Sequence, residues 1–252
     1  LVAGGGPAGI AAATAAARLG ARVMLVERYG YMGGLATGGL VLLMDEMYDR
    51  QGRRCVGGVY WEAMQRLQEI GGLAWQNPTR LHADSELLKV VADELCLEAG
   101  VNLRLHSWVV DALVEEGRVT GAILESKSGR QAVLARVCVD ATGDGDVAAR
   151  AGAAYELHSM RIGLNAKIGG VDLEAFHGWQ EDSPEHARAL RSMVRAAGGV
   201  PMGAGTTPHE DLGVYWVNVL GLTNRGDDPL ATLSASGSPV GSFTGELNAV
   251  DV

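Results

Sequence analysis

The stretch that decides the fold is LVAGGGPAGI at residues 1–10, followed by an alanine-rich segment to Gly20 and by ARVMLVE at residues 21–27. It consists of a short apolar run, a glycine-rich turn, a segment with strong helix formers and a second apolar run that ends in an acid. This order predicts a strand, a tight turn, a helix and a second strand. A strand, helix and strand joined by short connections are typical of an α/β fold with a parallel sheet.

The glycines in the turn have the spacing that a dinucleotide site requires. Gly4 would make the tight turn, Gly6 would let the backbone approach a pyrophosphate, and Gly9 would let the helix pack closely on the strand. Pro7 suits the first helical turn, and the phosphates would lie at the helix N-terminus. Glu27 follows Gly9 by 18 residues, where an acid binds the ribose hydroxyls. The complete set favours a dinucleotide site over a glycine turn that merely precedes a surface helix.

The composition limits the classes of protein that fit. The 252 residues are enough for one large domain or two smaller ones, and 21 basic against 30 acidic residues give a net charge of -9, which argues against a nucleic-acid partner. No apolar run reaches the roughly 18 residues of a membrane span. Cys55, Cys96 and Cys138 have no metal-ligand spacing and indicate reduced thiols in a cytoplasmic protein. The chain starts inside a strand and stops without a closing signal, so we expect residues to be missing at both ends.

The chain after Glu27 alternates between loops, helices and strands. A loop at 28–40 carries five glycines, which favours a segment pressed against a ligand. Helices are predicted over 59–70 and 86–99, the second with Asp84-Ser85 as N-cap. A strand over 101–106 should then be a parallel neighbour in the first sheet.

The pattern changes at Trp108 to short runs separated by turns, which predicts an antiparallel meander. Its strands are expected at 108–115, 119–125 and 131–140, the last buried on both faces over 135–139. That strand leads into a second glycine turn at 140–148, placed to contact a ligand at the edge of the sheet. The rest predicts a helix over 184–197, a strand over 215–222 and an irregular connection in the last thirty residues.

Four motifs together resemble those of the FAD-dependent oxidoreductases of the glutathione-reductase-like superfamily, in particular bacterial members. They are GGGPAG at 4–9, VERYGYMGGLATGG at 26–39, ADSELLK at 83–89 and VDATGDGDVAARAGA at 139–153. The resemblance covers about the first 155 residues. It implies a Rossmann-like FAD/NAD(P)-binding domain over 1–156, with a helical insertion at 45–83, a parallel sheet and an antiparallel meander. Residues 157–252 would be part of a substrate or cap domain, truncated at its C-terminus.

The resemblance also implies which residues bind FAD. They are Gly4, Gly6, Pro7, Ala8, Gly9, Glu27, Arg28, Gly33, Gly34, Ala36, Thr37, Val109, Ala141, Thr142, Gly143 and Asp144. The resemblance places Glu27 at the adenosine ribose, Arg28 on the adenine side and the backbone of Val109 at the adenine. Family members carry a later glycine-acid motif that holds the ribityl chain, and this sequence stops before any such motif.

The sequence favours hydride transfer between a flavin and a small organic substrate, with no metal, no nucleic acid and no membrane involved. The electron acceptor stays open, as does assembly into a homo-oligomer. An NAD(P)-dependent oxidoreductase and a non-catalytic nucleotide-binding subunit are the alternatives, because the same fingerprint serves several nucleotides. Arg80 and His82, just before a helix start, are the candidate anion clamp and proton carrier. Other candidates of this kind are His158, His177 and His209.

Overall fold

The computed structural model describes residues 1–44, 47–49, 51–77, 80–156, 162–172, 174–175, 178, 185, 188–189, 192, 203–205, 207–209 and 212–222. The last thirty residues, His158, His177 and most of the predicted helix over 184–197 lie outside these residues.

The described part of the chain alternates between strands and helices. In chain order these elements are β1 (Val2–Ala3), α1 (Pro7–Arg18), β2 (Met24–Val26), a short 3-10 helix (Gly34–Ala36), β3 (Leu43–Met44), α2 (Gly58–Glu69), β4 (Leu73–Asn77), β5 (Arg80–Ala83), α3 (Ser85–Glu98), β6 (Asn102–Arg104), β7 (Ser107–Glu115), β8 (Arg118–Ser126), β9 (Gly129–Leu134), β10 (Val139–Asp140), α4 (Asp146–Arg150), β11 (Ile162–Ile168), β12 (Gly203–Gly205) and β13 (Tyr215–Leu222).

The chain divides into two compact units. The first comprises Leu1–Gly38, Glu46–Gly72 and Asp84–Glu156, and the second comprises Gly39–Asp45, Leu73–Ala83 and Leu157–Val252. The segment predicted as a helical insertion is therefore shared between them, since α2 belongs to the first unit while β4 and β5 belong to the second. The assignment of a cofactor domain and a substrate domain to these units stays a prediction.

The first unit is built on a parallel sheet with the strand order β10-β1-β2-β6. Alternate residues of a strand face opposite sides, so Val2 packs in one core cluster with Ile10 of α1 and Ala92 of α3. Ala3 faces the other side and packs with Val109 of β7. Helices cover one face of the sheet and the meander covers the other, and the predicted α/β fold with its parallel neighbour β6 is confirmed.

The meander β7-β8-β9 is antiparallel, as predicted, but its third strand is shorter than expected. β9 ends at Leu134, and the chain then rejoins the parallel sheet as β10, which pairs with β1. The prediction of one strand over 131–140, buried on both faces at 135–139, was wrong. Val137 is 68% exposed in the connection between β9 and β10, and Val139 is 38% exposed because β10 lies at the edge of the described sheet. A run of apolar residues reveals neither the break in the strand nor whether a partner strand covers it.

Three helices of the first unit are joined by ion pairs. Arg18 contacts Glu62 of α2 at 2.6 Å, and Arg66 contacts both Glu62 at 2.8 Å and Glu98 of α3 at 2.7 Å. The hydrogen bonds from Arg18, followed by those from Arg66, hold the pKa of Glu62 at about 2. The network therefore favours the charged form of Glu62 and links the C-terminal ends of α1 and α3 through α2.

The predicted helix cap at α3 is confirmed. One carboxylate oxygen of Asp84 accepts hydrogen bonds from the backbone N-H groups of Glu86 at 2.9 Å and Leu87 at 2.8 Å. These bonds satisfy two of the donors that a helix N-terminus leaves without an intrahelical partner. The helix consequently starts within one residue of its predicted position.

The second unit contains two antiparallel sheets, ordered β3-β5-β4 and β11-β13-β12. The predicted strand over 215–222 is β13, which pairs with both β11 and β12. Among the described residues, no helix combines the length and the apolar character needed to cross a membrane.

Candidate cofactor site

The first glycine turn has the geometry that its sequence predicts. Gly4 adopts a φ of +100°, and its N-H donates to the carbonyl of Val26 at 2.8 Å, so the turn is fixed to β2. A Cβ added at Gly9 would lie 1.8 Å from the carbonyl oxygen of Gly4. Only glycine permits this approach of α1 to the end of β1.

Gly6 lies at the N-cap of α1, and no side chain caps the helix there. A Cβ built on Gly6 would meet no heavy atom within 4 Å, and Pro7 and Ala8 are exposed. The helix N-terminus therefore presents backbone N-H groups and the positive end of its dipole to open space. A diphosphate is the kind of group that such a terminus binds.

Glu27 follows the end of β2 and is buried. Its Oε2 accepts the N-H of Gly5 at 2.7 Å, and its Oε1 accepts the N-H of Tyr29 at 2.9 Å. These bonds fix the carboxylate beside the first glycine turn. A carboxylate oxygen can accept more than one hydrogen bond, so Glu27 retains acceptor capacity for ribose hydroxyls.

The glycine-rich loop after Glu27 folds back onto the first turn. The N-H of Gly33 donates to the carbonyl of Gly5 at 2.8 Å, and a Cβ on Gly34 would lie 3.0 Å from the Cα of Gly6. Ala36 and Thr37 are buried. The Thr37 hydroxyl donates within the loop, to the carbonyl of Met32 at 2.8 Å, so its side chain braces the loop.

The second glycine turn meets the first because β10 runs parallel to β1 and ends at the same edge of the sheet. The N-H of Ala141 donates to the carbonyl of Ala3 at 2.8 Å. A Cβ added at Gly4 would lie only 2.3 Å from the carbonyl oxygen of Ala141, so the two turns are in close contact. Thr142 is half-buried, while Gly143 and Asp144 are exposed.

Asp140, which sequence reasoning did not single out, organises this second turn. Its Oδ1 accepts the N-H of Thr142 at 3.1 Å and the Thr142 hydroxyl at 2.7 Å, while its Oδ2 accepts the N-H of Ala148 at 2.9 Å. The Thr142 hydroxyl oxygen in turn accepts the N-H of Asp146 at 3.0 Å. The available signal was an aspartate at a strand end with a threonine two residues later, a pattern typical of a side-chain-stabilised turn.

Arg28 and Val109, which the resemblance placed at the adenine, lie on neighbouring parts of the first unit. Arg28 is half-buried, and its guanidinium packs on the rings of Tyr29 and Trp108. Val109 turns its side chain into the core beneath the sheet, with Ala3 and Val26. Only its backbone is therefore placed to meet a ligand.

The candidate catalytic pair belongs to the second unit. His82 lies in β5, is 1% exposed, and has its ring centroid 5.4 Å from that of Trp216. The Trp216 indole N-H donates to the carbonyl of Leu40 at 2.7 Å. Arg80 lies at the start of β5, opposite Asn77 in the ladder with β4.

A family model described as FAD dependent oxidoreductase matches residues 1–202 of the chain. The chain belongs to this family. FAD is accordingly its cofactor, as the motif resemblance implied. The open N-terminus of α1, the buried Glu27 and the paired glycine turns fit a bound dinucleotide. Among the described residues, no cluster of three or more His, Cys, Asp or Glu side chains could hold a metal ion.

Individual relatives are similar over parts of their length. The tRNA uridine 5-carboxymethylaminomethyl modification enzyme MnmG of Wolinella succinogenes is 31% identical over 157 residues, which are 54% of this chain and 23% of that enzyme. The structure of CabE, an aromatic hydroxylase from angucycline biosynthesis, matches 94% of this chain and 47% of CabE with a TM-score of 0.53 and 16% identity. THI4 of Thermovibrio ammonificans matches 59% of each chain with a TM-score of 0.45 and 22% identity.

The likeness to CabE supports the fold, a Rossmann-like FAD-binding architecture, and nothing finer. The chain spans about a quarter of the length of the curated relative and about half of CabE.

Proposed function

We propose that this FAD-dependent oxidoreductase transfers a hydride between its flavin and a small organic substrate. The observation that carries the proposal is the meeting of both glycine turns and Glu27 at one edge of the parallel sheet, with open space over Gly6. This arrangement presents donors for a diphosphate beside acceptors for ribose hydroxyls. It thus has the two recognition elements that a dinucleotide cofactor requires.

The residues of the first unit bind and orient the cofactor. Backbone N-H groups at Ala8 and Gly9 would hold the diphosphate, with the α1 dipole adding to the attraction. Glu27 would accept the ribose hydroxyls and fix the adenosine end. The turn braced by Asp140 would close the other side of the site. When bound, FAD supplies the redox chemistry, while the protein supplies position and electrostatics.

We propose His82 as the group that holds or moves a proton at the substrate, with Arg80 as an anion clamp. The support for His82 is its near-complete burial against Trp216, whose own orientation is fixed by its bond to Leu40. Histidine exchanges a proton near neutral pH, and a ring shielded from bulk water can direct that proton to one partner. The proposal for Arg80 rests on its place in the same strand.

We propose a small-molecule substrate, no nucleic-acid partner and a cytoplasmic location, and we leave assembly into a homo-oligomer open. The net charge of -9 disfavours a polyanionic partner. Burial raises the pKa of the Cys96 thiol, with a smaller opposing effect from Thr14, and burial also raises the pKa of the Cys138 thiol. Protonated thiols resist oxidation, which suits cysteines kept reduced inside a cell.

The first test is the visible absorption spectrum of the purified chain, before and after denaturation, followed by chromatography of the released nucleotide. Release of FAD supports the proposal. Bound NAD without flavin would replace it with the nicotinamide-dependent alternative. If the chain binds neither FAD nor NAD when it is titrated with the free cofactors, the result favours the alternative hypothesis of a non-catalytic nucleotide-binding subunit.

The second test concerns the reaction. An anaerobic screen of small organic reductants, read by loss of visible flavin absorbance, identifies a substrate, and deuterium at its reacting carbon then reports whether that C-H bond breaks in the rate-limiting step, as hydride transfer requires. A slower reduction with deuterium supports hydride transfer, and an unchanged rate under chemistry-limited conditions refutes it.

The role of His82 is tested with the H82Q variant. We expect FAD content to stay constant while the rate of flavin reduction falls by about 100-fold. H209Q is compared in the same assay, because His209 is another candidate proton carrier and lies in a separate turn, where its backbone N-H donates to the Thr207 hydroxyl. We expect H209Q to reduce the flavin like wild type. Equal rates for the H82Q variant and wild type would remove His82 from the mechanism.

A further inference from the structure

The segment Gly39–Leu40 of the second unit holds a backbone conformation that costs free energy. Leu40 has a φ of +51°, in the left-handed region that residues with a side chain rarely adopt. The Nδ2 of Asn165 donates to the carbonyl of Gly39 at 2.9 Å. The Trp216 indole N-H donates to the next carbonyl, that of Leu40, at 2.7 Å. Strained residues that are held by their surroundings cluster at active sites, so this segment marks a candidate functional position.

Asn165 lies beside an irregularity in β11. The ladder of β11 with β13 shifts register between Leu164 and Asn165. A bulge re-aims the side chains beside it, and bulges are enriched next to active sites. The carbonyl of Gly39 can only accept a hydrogen bond, so the nitrogen of the Asn165 amide must face it. The amide oxygen, Oδ1, is therefore the atom of Asn165 that remains for another partner.

This Oδ1 is buried, and no donor among the described residues reaches it. A buried acceptor without a hydrogen bond is uncommon in proteins, because it has lost its bonds to water. Asp93 of α3 also has such an oxygen, but burial raises the pKa of that carboxyl and favours its neutral form. An amide oxygen stays an acceptor at every pH. A donor on a ligand would satisfy it.

His82 belongs to the same cluster of side chains. Its ring centroid lies 5.4 Å from that of Trp216, whose indole is bonded to the residue that follows Gly39. With His82 as proton carrier, a substrate meets two acceptors, the histidine ring and the Asn165 oxygen. An alcohol has one O-H and can satisfy only one of them. A protonated primary or secondary amine has at least two N-H groups and can satisfy both.

We propose that Asn165 binds the substrate through its amide oxygen and that the substrate is a primary or secondary amine. This inference rests on the proposed function, because it uses both hydride transfer and the proton-carrying role of His82. The ammonium group of the substrate loses one proton to His82. The C-H bond beside the nitrogen then breaks, its electron pair leaves with the hydrogen as a hydride to the flavin, and the nitrogen lone pair forms a C=N bond.

The electrons balance, because the amine loses two electrons to the flavin and becomes an iminium ion. Positive charge develops on the nitrogen during this step. An N-H that donates to Asn165 becomes a stronger donor as the charge grows, so its hydrogen bond stabilises the transition state more than the bound amine. Asn165 should therefore affect the rate of flavin reduction as well as binding.

The test uses three compounds that share the same reacting carbon: benzylamine, N,N-dimethylbenzylamine and benzyl alcohol. Once His82 has taken its proton, the dimethyl compound has no N-H left for Asn165. We expect anaerobic flavin reduction in the holoenzyme with benzylamine, and none with benzyl alcohol. N165A should slow reduction by benzylamine at least about tenfold and leave reduction by the dimethyl compound within about twofold of wild type.

Two further variants separate this role from a structural one. N165L fills the space of the amide with an apolar side chain and should behave like N165A, so an empty space is not the cause of the loss. N102A is the matched control, because Asn102 is exposed on β6 of the first unit. It should reduce the flavin like wild type with both amines. FAD content and thermal unfolding check that each variant folds.

Binding gives a readout that does not depend on turnover. Cumylamine and its N,N-dimethyl derivative have no hydrogen on the carbon beside the nitrogen, so they bind without reacting. Titration calorimetry of the holoenzyme should show that N165A weakens cumylamine by about tenfold, with its dimethyl derivative unchanged within about twofold.

The proposal is overturned if N165A slows both amines equally, as loss of the bond to Gly39 alone would, or if benzyl alcohol reduces the flavin faster than benzylamine. It is also overturned if N165A binds cumylamine like wild type. Weaker cumylamine binding in N165A, together with no deuterium effect on flavin reduction by benzylamine, would refute the proposed hydride transfer and still support the amine site.

Discussion

Replacement of Gly6 by alanine should abolish tight cofactor binding without a change in the fold. An added Cβ would meet no heavy atom within 4 Å, and the backbone angles of Gly6, φ -70° and ψ -178°, are open to alanine. Alanine is a poorer N-cap than glycine by up to about 1 kcal/mol, while its smaller unfolded-state entropy contributes about 0.4–1 kcal/mol in the opposite direction. The free energy of unfolding of the apoprotein should therefore change by less than about 1 kcal/mol.

The effect on FAD should be much larger, because the new methyl group occupies the space through which the diphosphate reaches the helix N-terminus. We expect the loss of about two charge-assisted hydrogen bonds to backbone N-H groups, each worth roughly 1.5 kcal/mol or more. A total of about 3 kcal/mol corresponds to roughly a 100-fold rise in Kd. Titration calorimetry of the apoprotein measures this rise, and urea unfolding of the same sample measures stability.

Gly9→Ala is the companion variant that separates the two effects. Its Cβ would lie 1.8 Å from the carbonyl oxygen of Gly4, a backbone atom in a turn that is bonded to Val26. No rotamer change relieves this overlap, so we expect a loss of about 3 kcal/mol or more in the free energy of unfolding. The reasoning is refuted if Gly6→Ala binds FAD within about threefold of wild type, or if its apoprotein is as unstable as that of Gly9→Ala.

Three further predictions concern the supports of the site and of the fold. Asp140→Asn removes one acceptor from the second glycine turn, so FAD should bind about tenfold more weakly and the apo Tm should fall by a few degrees, as calorimetric titration and scanning will show. Glu62 has its pKa lowered from 4.5 to about 2 and its side chain is 31% exposed, so its ion pairs should contribute about 1 kcal/mol of stability above pH 4.5 that is lost as the pH falls towards 2. Urea unfolding at neutral and acid pH should show a smaller acid loss for Glu62→Gln than for wild type, and an equal loss would contradict this role. Trp216→Phe keeps an aromatic ring but removes the donor to Leu40 and leaves part of a buried site unfilled, so unfolding should show a loss of more than about 1 kcal/mol, whereas no loss would mean that neither the bond nor the indole packing stabilises the fold.

Most of the first unit could be predicted from the sequence because its signals are local. The glycine spacing at 4–9, the cap at Asp84 and the turns of the meander each act within a few residues, and each appears in the structure close to its predicted position. The exception is the segment 135–139. Its apolar residues match a buried strand in pattern, yet burial depends on which strand lies next to it, and the local pattern carries no such information.

The residues of the candidate site also fall into those that the sequence predicts and those that it does not. The positions of Gly4, Gly9 and Glu27 could be predicted, because a tight turn, a close helix-strand contact and an acid at the end of the second strand each require a particular residue type at a fixed spacing. The bracing role of Thr37 did not follow, because the sequence does not show that its hydroxyl donates to the carbonyl of Met32, and its contact with the cofactor stays a prediction. Asp140 was missed for the opposite reason, since an acid in a glycine turn looks like a solvated surface residue until its three donors are located.

The surroundings of His82 show why chemistry is harder to predict than cofactor binding. The predicted cofactor contacts lie within segments whose order along the chain fixes their place in the sheet. The neighbours of His82 instead come from β3, more than 35 residues earlier, and from Trp216, more than 130 residues later. No spacing rule links such distant positions, so the sequence could suggest His82 only from its residue type and its place just before a helix start. Only the structure shows that its ring is buried against an indole that is itself hydrogen-bonded, and its role as proton carrier stays a proposal.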